Sequence, residues 1–315
     1  MDPVCHTLVG ASLGATGLAN KTRHGMLTLM VAANLPDIDF VFYFRDDASA
    51  YAFRRGITHG IPAILLLPVL LALAIAVLSR RFSSANTGPA VSLRWLIILS
   101  LIGVASHPAL DWLNNYGMRW LMPMVDRWFY GDTLYIVDGI VWTALIAGLV
   151  AARRMNLDKL RWYRQPTTIS LAFIVTYISI SFAMTQSAEQ LALQNTLEDP
   201  PDRLLASPVP FKPLERAMIF DYEGEYRFGT VRFGPRPRFE WGEAVIPKGD
   251  PEVLERARRT RDGGWFLRWS RFPYSVVDVS GEGTQVQLAD ARYVREIDEP
   301  RLRSFGAISV ELTVP

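Results

Sequence analysis

Cysteine occurs once in this chain, at Cys5, and histidine only four times, at His6, His24, His59 and His107. A single cysteine excludes a fold held together by internal disulfides. Glutamate is absent from the first 186 residues, whose ten carboxylates are all aspartates. Net charge is scarce as well: 33 Lys and Arg against 31 Asp and Glu leave +2, which argues against a globally basic nucleic-acid surface. Aromatic residues are not scarce, and at 11% of 315 residues they exclude a disordered chain.

The near-neutral total conceals two unlike halves. Residues 1–186 carry 15 Lys/Arg and 10 Asp, whereas 187–315 carry 18 Lys/Arg and 21 carboxylates. A chain of this length allows about two domains. We read 1–186 as a membrane-embedded domain, 187–204 as a linker and 205–315 as a separate β-rich domain.

The span 61–79 contains no charged side chain. Its length is roughly 28 Å as a helix, close to the ~30 Å hydrocarbon core of a bilayer. Further apolar runs lie at 95–106, 134–152 and 168–186, and the first of these reaches spanning length only by continuing toward Asp111. Arg80 and Arg81, Arg94, Arg153 and Arg154, and Lys159, Arg161 and Arg164 flank these runs on one side, where Asp158 is the only carboxylate. By the positive-inside rule that side is cytoplasmic. No cleavable signal peptide is expected, because Met1-Asp2-Pro3 lacks a basic n-region. Residues 6–19 and 25–40 read as a short helical hairpin with a basic turn at Lys21, Arg23 and His24. The expected fold is therefore an α-helical polytopic membrane domain, four spans plus that hairpin, followed by a small α+β extracytoplasmic domain.

This topology gathers polar residues at the non-cytoplasmic end: His6, Asp37, Asp39, His59, His107, Asp111, Asp132 and Asp138. Neutral imidazole and carboxylate are ligands for Zn²⁺, Mn²⁺ or Fe²⁺. In His107-Pro108-Ala109-Leu110-Asp111, Pro108 suits a first helical turn, and His107 and Asp111, four apart, share a face. Asp37 and Asp39 offer two carboxylates from one short segment, and metal would offset the cost of charge beside apolar spans. Plainer roles stand beside these: Asp37 or Asp39 as helix caps, His6 as an interfacial residue, His59 bonded to a loop. His24, on the basic side, reads as structural, and Cys5 as a small buried residue.

Five strings occur in order: MDPVCHTLVGA at 1–11, NLPDID at 34–39, RRGITH at 54–59, SHPALDWLNNYGMRWLMP at 106–123 and DRWFYGDTLYIVDGIVW at 126–142. Together they resemble the YdjM/YbcI-type family of membrane-bound metal-dependent hydrolases, over about residues 1–150. The resemblance implies an integral protein of the bacterial inner membrane. Its polar positions correspond here to His6, Asp37, Asp39, Arg55, His59, His107, Asp111, Asn115, Arg119, Asp132 and Asp138. Cys5 departs from the pattern, since the family usually has Thr before the first His.

The expected mechanism uses one or two divalent ions, Zn or Mn first, held by His6, His59, His107 and Asp111 with Asp37 or Asp39. Asp39 or Asp132 is the candidate general base. Arg55 and Arg119 are candidates to stabilise an anionic group. The substrate expected at a membrane surface is a phosphoester of a lipid or lipid-linked molecule. Other classes remain open at this point: an ion-handling protein, or a non-enzymatic scaffold that presents the exported domain to a protein partner. Beyond the linker, strands are expected at 215–222, 226–233, 264–269, 274–279, 284–289 and 306–314, with a hairpin turn at Gly281-Glu282-Gly283. One helix is expected over Pro251 to Thr260. Arg256, Arg258, Arg259 and Arg261 read as a solvated basic face.

Overall fold

Asp2 opens the first helix, α1 (Pro3–Ala15), by accepting a hydrogen bond from the Cys5 amide with Pro3 in the first turn. The computed structural model describes residues 1–82, 90–155, 165–196, 198–280, 283–294 and 306–312. Gly17, at φ 104°, turns the chain into a 3₁₀ segment, Leu18–Lys21, and α2 (Gly25–Ala32) returns alongside α1. A break then bends the chain by 45° into a second 3₁₀ segment, Leu35–Phe44.

Among the described residues, three helices are long and apolar enough to cross a membrane: α4 (Ile61–Phe82), α5 (Leu93–Trp112) and α7 (Pro166–Gln194). A fourth span results if α2 and the bent segment after it act as one. The run at 95–106 does continue to Trp112, so Pro108 lies inside the last turn of α5 rather than opening a helix. Neighbouring helices make such prolines tolerable in membrane proteins. The run at 134–152 is shortened. Asp138 accepts from the amides of Ile140 and Val141 and starts α6 (Gly139–Arg154) there, leaving 16 residues or roughly 24 Å.

This helical unit comprises residues 1–39, 55–183 and 210–212. Two glycines permit its closest helix contacts. A Cβ on Gly10 would lie 3.0 Å from Met30 Cα, and one on Gly103 would lie 3.0 Å from the Leu29 carbonyl oxygen. Basic residues gather at one end. Arg80 and Arg81 close α4, Arg153 and Arg154 close α6, and the 21–24 turn is tied to that end by His24 Nε2 to Ser79 Oγ (3.1 Å) and by the Ser92 amide to Thr22 Oγ1 (2.9 Å). Lys159, Arg161, Arg164 and Asp158 lie outside the described residues. Cys5 is fully buried in a cluster with Val9, Val141, Leu145 and Ile174.

The second unit joins residues 40–54 to 184–209 and 213–315. One sheet has the order β1 (Arg203–Val209), β2 (Lys212–Tyr222), β3 (Glu225–Arg232), β4 (Arg238–Pro247); the other is β5 (Pro273–Ser280), β6 (Gly283–Asp290), β7 (Ala307–Leu312). The pairs β2–β3, β3–β4, β5–β6 and β6–β7 are antiparallel. Gly281 and Glu282 of the expected hairpin turn lie outside the described residues, but the strands on either side pair through Ser280 and Gly283. Alternation along β2 buries both faces of its sheet. Ile219 joins Tyr226, Phe272 and Tyr274, while Met218 and Phe220 meet Ala188 and Ala192 of α7.

The strand expected at 264–269 is instead a helix. Two helices, α8 (Pro251–Arg259) and α9 (Arg261–Trp269), replace the single one anticipated. Thr260 Oγ1 caps α9 by accepting from the Gly263 amide, and Phe266 and Trp269, three apart, then share a buried face. They pack on Tyr51 of α3 (Asp47–Phe53). Arg258 and Arg259 are solvent-exposed, with Glu255 as partner.

Asp290 anchors the turn after β6. It accepts from Ser270 Oγ and the Arg271 amide and pairs with Arg292, both side chains being buried. Burial disfavours its charge, but Arg292 and these hydrogen bonds hold its carboxyl below the usual carboxylate range. A depressed folded value gives stability that is complete above about pH 4 and is lost as pH falls through the folded value. Acid titration of the full-length protein, followed by tryptophan fluorescence, should therefore show a transition below pH 4 that Asp290→Asn flattens. An identical acid limb in the variant would refute this assignment.

Candidate metal centre

The site is assembled from three places in the helical unit. On α5, His107 and Asp111 are one turn apart on a buried face. Gly103, one turn earlier, lets α2 approach, and this brings the Ala33 carbonyl to 2.7 Å from His107 Nδ1. Asp37 stands in the Leu35–Phe44 segment, in a turn closed by its own amide to Asn34 O (3.1 Å) and tied to α1 by Asn34 Nδ2 to Thr7 Oγ1 (2.9 Å). His59 precedes α4 in a turn that its amide closes on Gly56 O (3.0 Å).

Asp37, His59, His107 and Asp111 each direct one donor atom at a common point, all within 4.8 Å of one another. His59 Nε2 and His107 Nε2 are 3.1 Å apart, and each is 3.5 Å from Asp111 Oδ2. Asp37 Oδ1 lies 3.8 Å from the first and 3.6 Å from the second. A tetrahedron with ligand bonds near 2.0–2.1 Å has edges of about 3.3–3.4 Å. Five of the six edges, at 3.1–3.8 Å, scatter around that value, and the sixth, from Asp37 to Asp111, is no longer than 4.8 Å.

The tautomers strengthen the fit. His107 Nδ1 lies 2.7 Å from Ala33 O, which can only accept, so this nitrogen carries a proton and donates it there. His59 Nδ1 lies 3.0 Å from Thr58 Oγ1, whose own proton goes to Asp39 Oδ2, and 3.3 Å from that oxygen, so a proton on Nδ1 suits both neighbours. With both rings neutral, the two Nε2 atoms would present lone pairs to each other at 3.1 Å, a conflict that either a proton on His107 Nε2, beside Asp37 and Asp111, or a bound cation relieves. His59 with Asp39 behind it also reproduces the carboxylate–histidine–metal arrangement that orients ligands.

The remaining expected residues take different positions. Asp39 is buried behind His59, accepting from the Arg55 amide (2.8 Å) and Thr58 Oγ1 (2.8 Å). His6 stacks on His107 at 3.7 Å between ring centroids, and its Nε2 lies 3.3 Å from Asp111 Oδ1. The amino group of Met1 meets the same oxygen. Arg55, with its backbone at φ 49°, sets Nε 2.9 Å from Asp111 Oδ2 and donates from Nη1 to Asn114 Oδ1 and Gly117 O. Its guanidinium lies over the Tyr116 ring. Arg119 is buried, pairs with Asp126 at 3.0 Å and lies over Trp128, and its amide donates to Arg55 O.

Asp132 is half-buried in the segment that hangs on α5 through the amides of Thr133 and Leu134 to Leu113 O. Asp138 caps α6 and accepts from Tyr177 Oη at 2.9 Å. Sequence reasoning missed Asn114 and the Ala33 carbonyl. Asn114 sits beside Asn115 in the same string and could have been noticed, whereas a backbone carbonyl carries no residue signal.

A family model described as YdjM inner membrane protein matches residues 1–188. Over 310 residues the chain is 22% identical to the uncharacterized protein YfhP of Bacillus subtilis (strain 168), covering 93% of this chain and 87% of YfhP. No solved structure matches the chain.

Proposed function

The chain belongs to the YdjM inner membrane protein family, and on that premise we propose that it is a membrane-bound, metal-dependent hydrolase acting on a phosphoester of a lipid or lipid-linked molecule. The observation that supports the reading is the convergence of two imidazole Nε2 atoms, 3.1 Å apart, with one carboxylate oxygen each from Asp37 and Asp111. Asp37, His59, His107 and Asp111 would hold one divalent ion, and their two-nitrogen, two-oxygen set with near-tetrahedral edges suits Zn²⁺ first and Mn²⁺ second. Bound there, such an ion would supply Lewis-acid activation of water; because the four side chains already make up a tetrahedral set, that chemistry requires the accessible Asp37 to yield its position.

The chain's own residues do the rest. Asp39 and the Ala33 carbonyl fix the rings of His59 and His107 in the tautomer that leaves Nε2 free. His6 and Arg55 hold the two oxygens of Asp111, so its orientation is set before any ligand arrives. Asp37 is the one member of the set with an accessible side chain, at 13%, and it marks the open side of the site. We assign proton acceptance to Asp132, whose segment is bonded to the end of α5 that bears Asp111, and to Arg119, buried and paired with Asp126, the holding of its own segment against Arg55.

We assign the His/Asp end to the non-cytoplasmic face of a bacterial inner membrane, with several spans and the C-terminal unit exported. The basic ends of α4 and α6 support that orientation under the positive-inside rule. The functional test is a panel of phosphodiesters and phospholipids presented to purified, metal-loaded protein. Turnover that chelator abolishes and that Asp37→Asn lowers by at least about 10-fold is expected. No turnover of any panel member by protein of verified metal content would reject hydrolysis.

A further inference from the structure

At the opposite end of the helical unit a second feature stands apart from the metal centre. A cleft of about 520 Å³ opens between α1, α2 and α6. α1 lines it with Ala11, Gly14 and Ala15, α2 with Met26 and Met30, α6 with Leu149 and Val150, and Asn20 and Arg153 are its polar lining. The cause is visible in the chain. α1 is only 13 residues long and ends in small side chains, so it leaves space that α2 and α6 do not close.

We propose that this cleft binds one anionic glycerophospholipid, with an acyl chain along the alanine and methionine walls and the phosphate against Arg153 and Asn20. Small residues alone would mean only close packing, but here they border open volume within the ~300–1,000 Å³ typical of ligand sites. The cation selects the occupant. Arg153 is exposed and makes no ion pair among the described residues, although it lines an otherwise apolar cleft. A guanidinium at the end of a hydrocarbon-lined groove matches a headgroup phosphate joined to an acyl chain, both in charge and in fork geometry. Lys21, Arg23, Arg80 and Arg81 add positive charge at the same end of the helices. That environment favours an acidic headgroup over a zwitterionic one. The site is independent of the hydrolase reading, since it shares no residue with the His/Asp group.

The test places the full chain in bilayers of equal dioleoylphosphatidylglycerol and dioleoylphosphatidylcholine, extracts it in mild detergent, and counts retained lipids by native mass spectrometry. One phosphatidylglycerol per chain is expected, with a preference of at least about 10-fold over phosphatidylcholine. Arg153→Gln should lose that lipid. Arg154→Gln should keep it, because Arg154 shares the helix end and the charge but does not line the cleft. Ala15→Phe, which fills the groove and leaves every charge in place, should also lose it, and an unchanged helical circular-dichroism spectrum verifies the fold of each variant. Equal loss in Arg153→Gln and Arg154→Gln, equal retention of the two lipids, or full retention in Ala15→Phe would overturn the proposal and leave annular lipid only.

Discussion

His107→Ala and His59→Ala are each expected to lower affinity for the divalent ion by more than about 100-fold, and Asp39→Asn by about 10–100-fold. The two histidines supply half of the donor set, so losing either leaves three atoms and a gap no other side chain in the group can fill. Asp39 acts one bond further out. Its asparagine variant can present an NH₂ to His59 Nδ1 in place of an acceptor oxygen, which destabilises the tautomer with Nε2 free. His24→Ala is the control. That residue bonds Ser79 at the basic end and should leave metal content unchanged. Elemental analysis and competition titration of purified protein read the result directly, before any substrate is known. Full ion content in both histidine variants would end the metal reading.

Arg55→Met should be the most destabilising single substitution near the site. Asp111 is fully buried, and Arg55 supplies the guanidinium that faces its Oδ2 at 2.9 Å. Removing one partner of a buried ion pair costs about 3–5 kcal/mol where the other charge is left uncompensated, and since the Met1 amino group still meets Asp111, the loss should fall at the lower end of that range. The same change removes the donor to Asn114 Oδ1 and Gly117 O. Combining it with Asp111→Asn should recover part of the loss, since the orphaned charge disappears. Denaturant unfolding in detergent, measured on the full chain without added metal, separates this effect from ion binding. A loss below about 1 kcal/mol in the single variant would show that Arg55 is not Asp111's counter-charge.

The contrast between these residues shows what the sequence could reveal. His59, His107 and Asp111 were readable because the runs of apolar residues and the basic flanks together sort every polar group to one end or the other. Asp37 and Asp39 were not separable, since both stand in one Pro-Asp-Ile-Asp string. Only the fold turns one toward the imidazole nitrogens and the other behind His59. Arg55 read as a phosphate ligand because a guanidinium suits one; its commitment to Asp111 depends on a through-space contact across 56 positions. In the second unit, 264–269 looked like a strand because Trp265-Phe266-Leu267 is aromatic and apolar. The cap at Thr260 and the packing of Phe266 and Trp269 on Tyr51 decide for a helix instead. The helix–strand ambiguity of short apolar runs is general.

Residues 40–54 leave the helical unit immediately after Asp39 and return at Arg55, whose amide is bonded to Asp39. Their Tyr51 packs on aromatic side chains that are encoded more than two hundred residues later. The two units are therefore interleaved along the chain, and no single scission yields both intact. A chain truncated near residue 186 would keep every metal-site side chain yet expose the apolar face of α3. A C-terminal fragment expressed alone would in turn lack a piece of its own core. Division of this protein into separate parts therefore cannot follow chain order, because 40–54 belongs with the C-terminal residues and 210–212 with the helical unit.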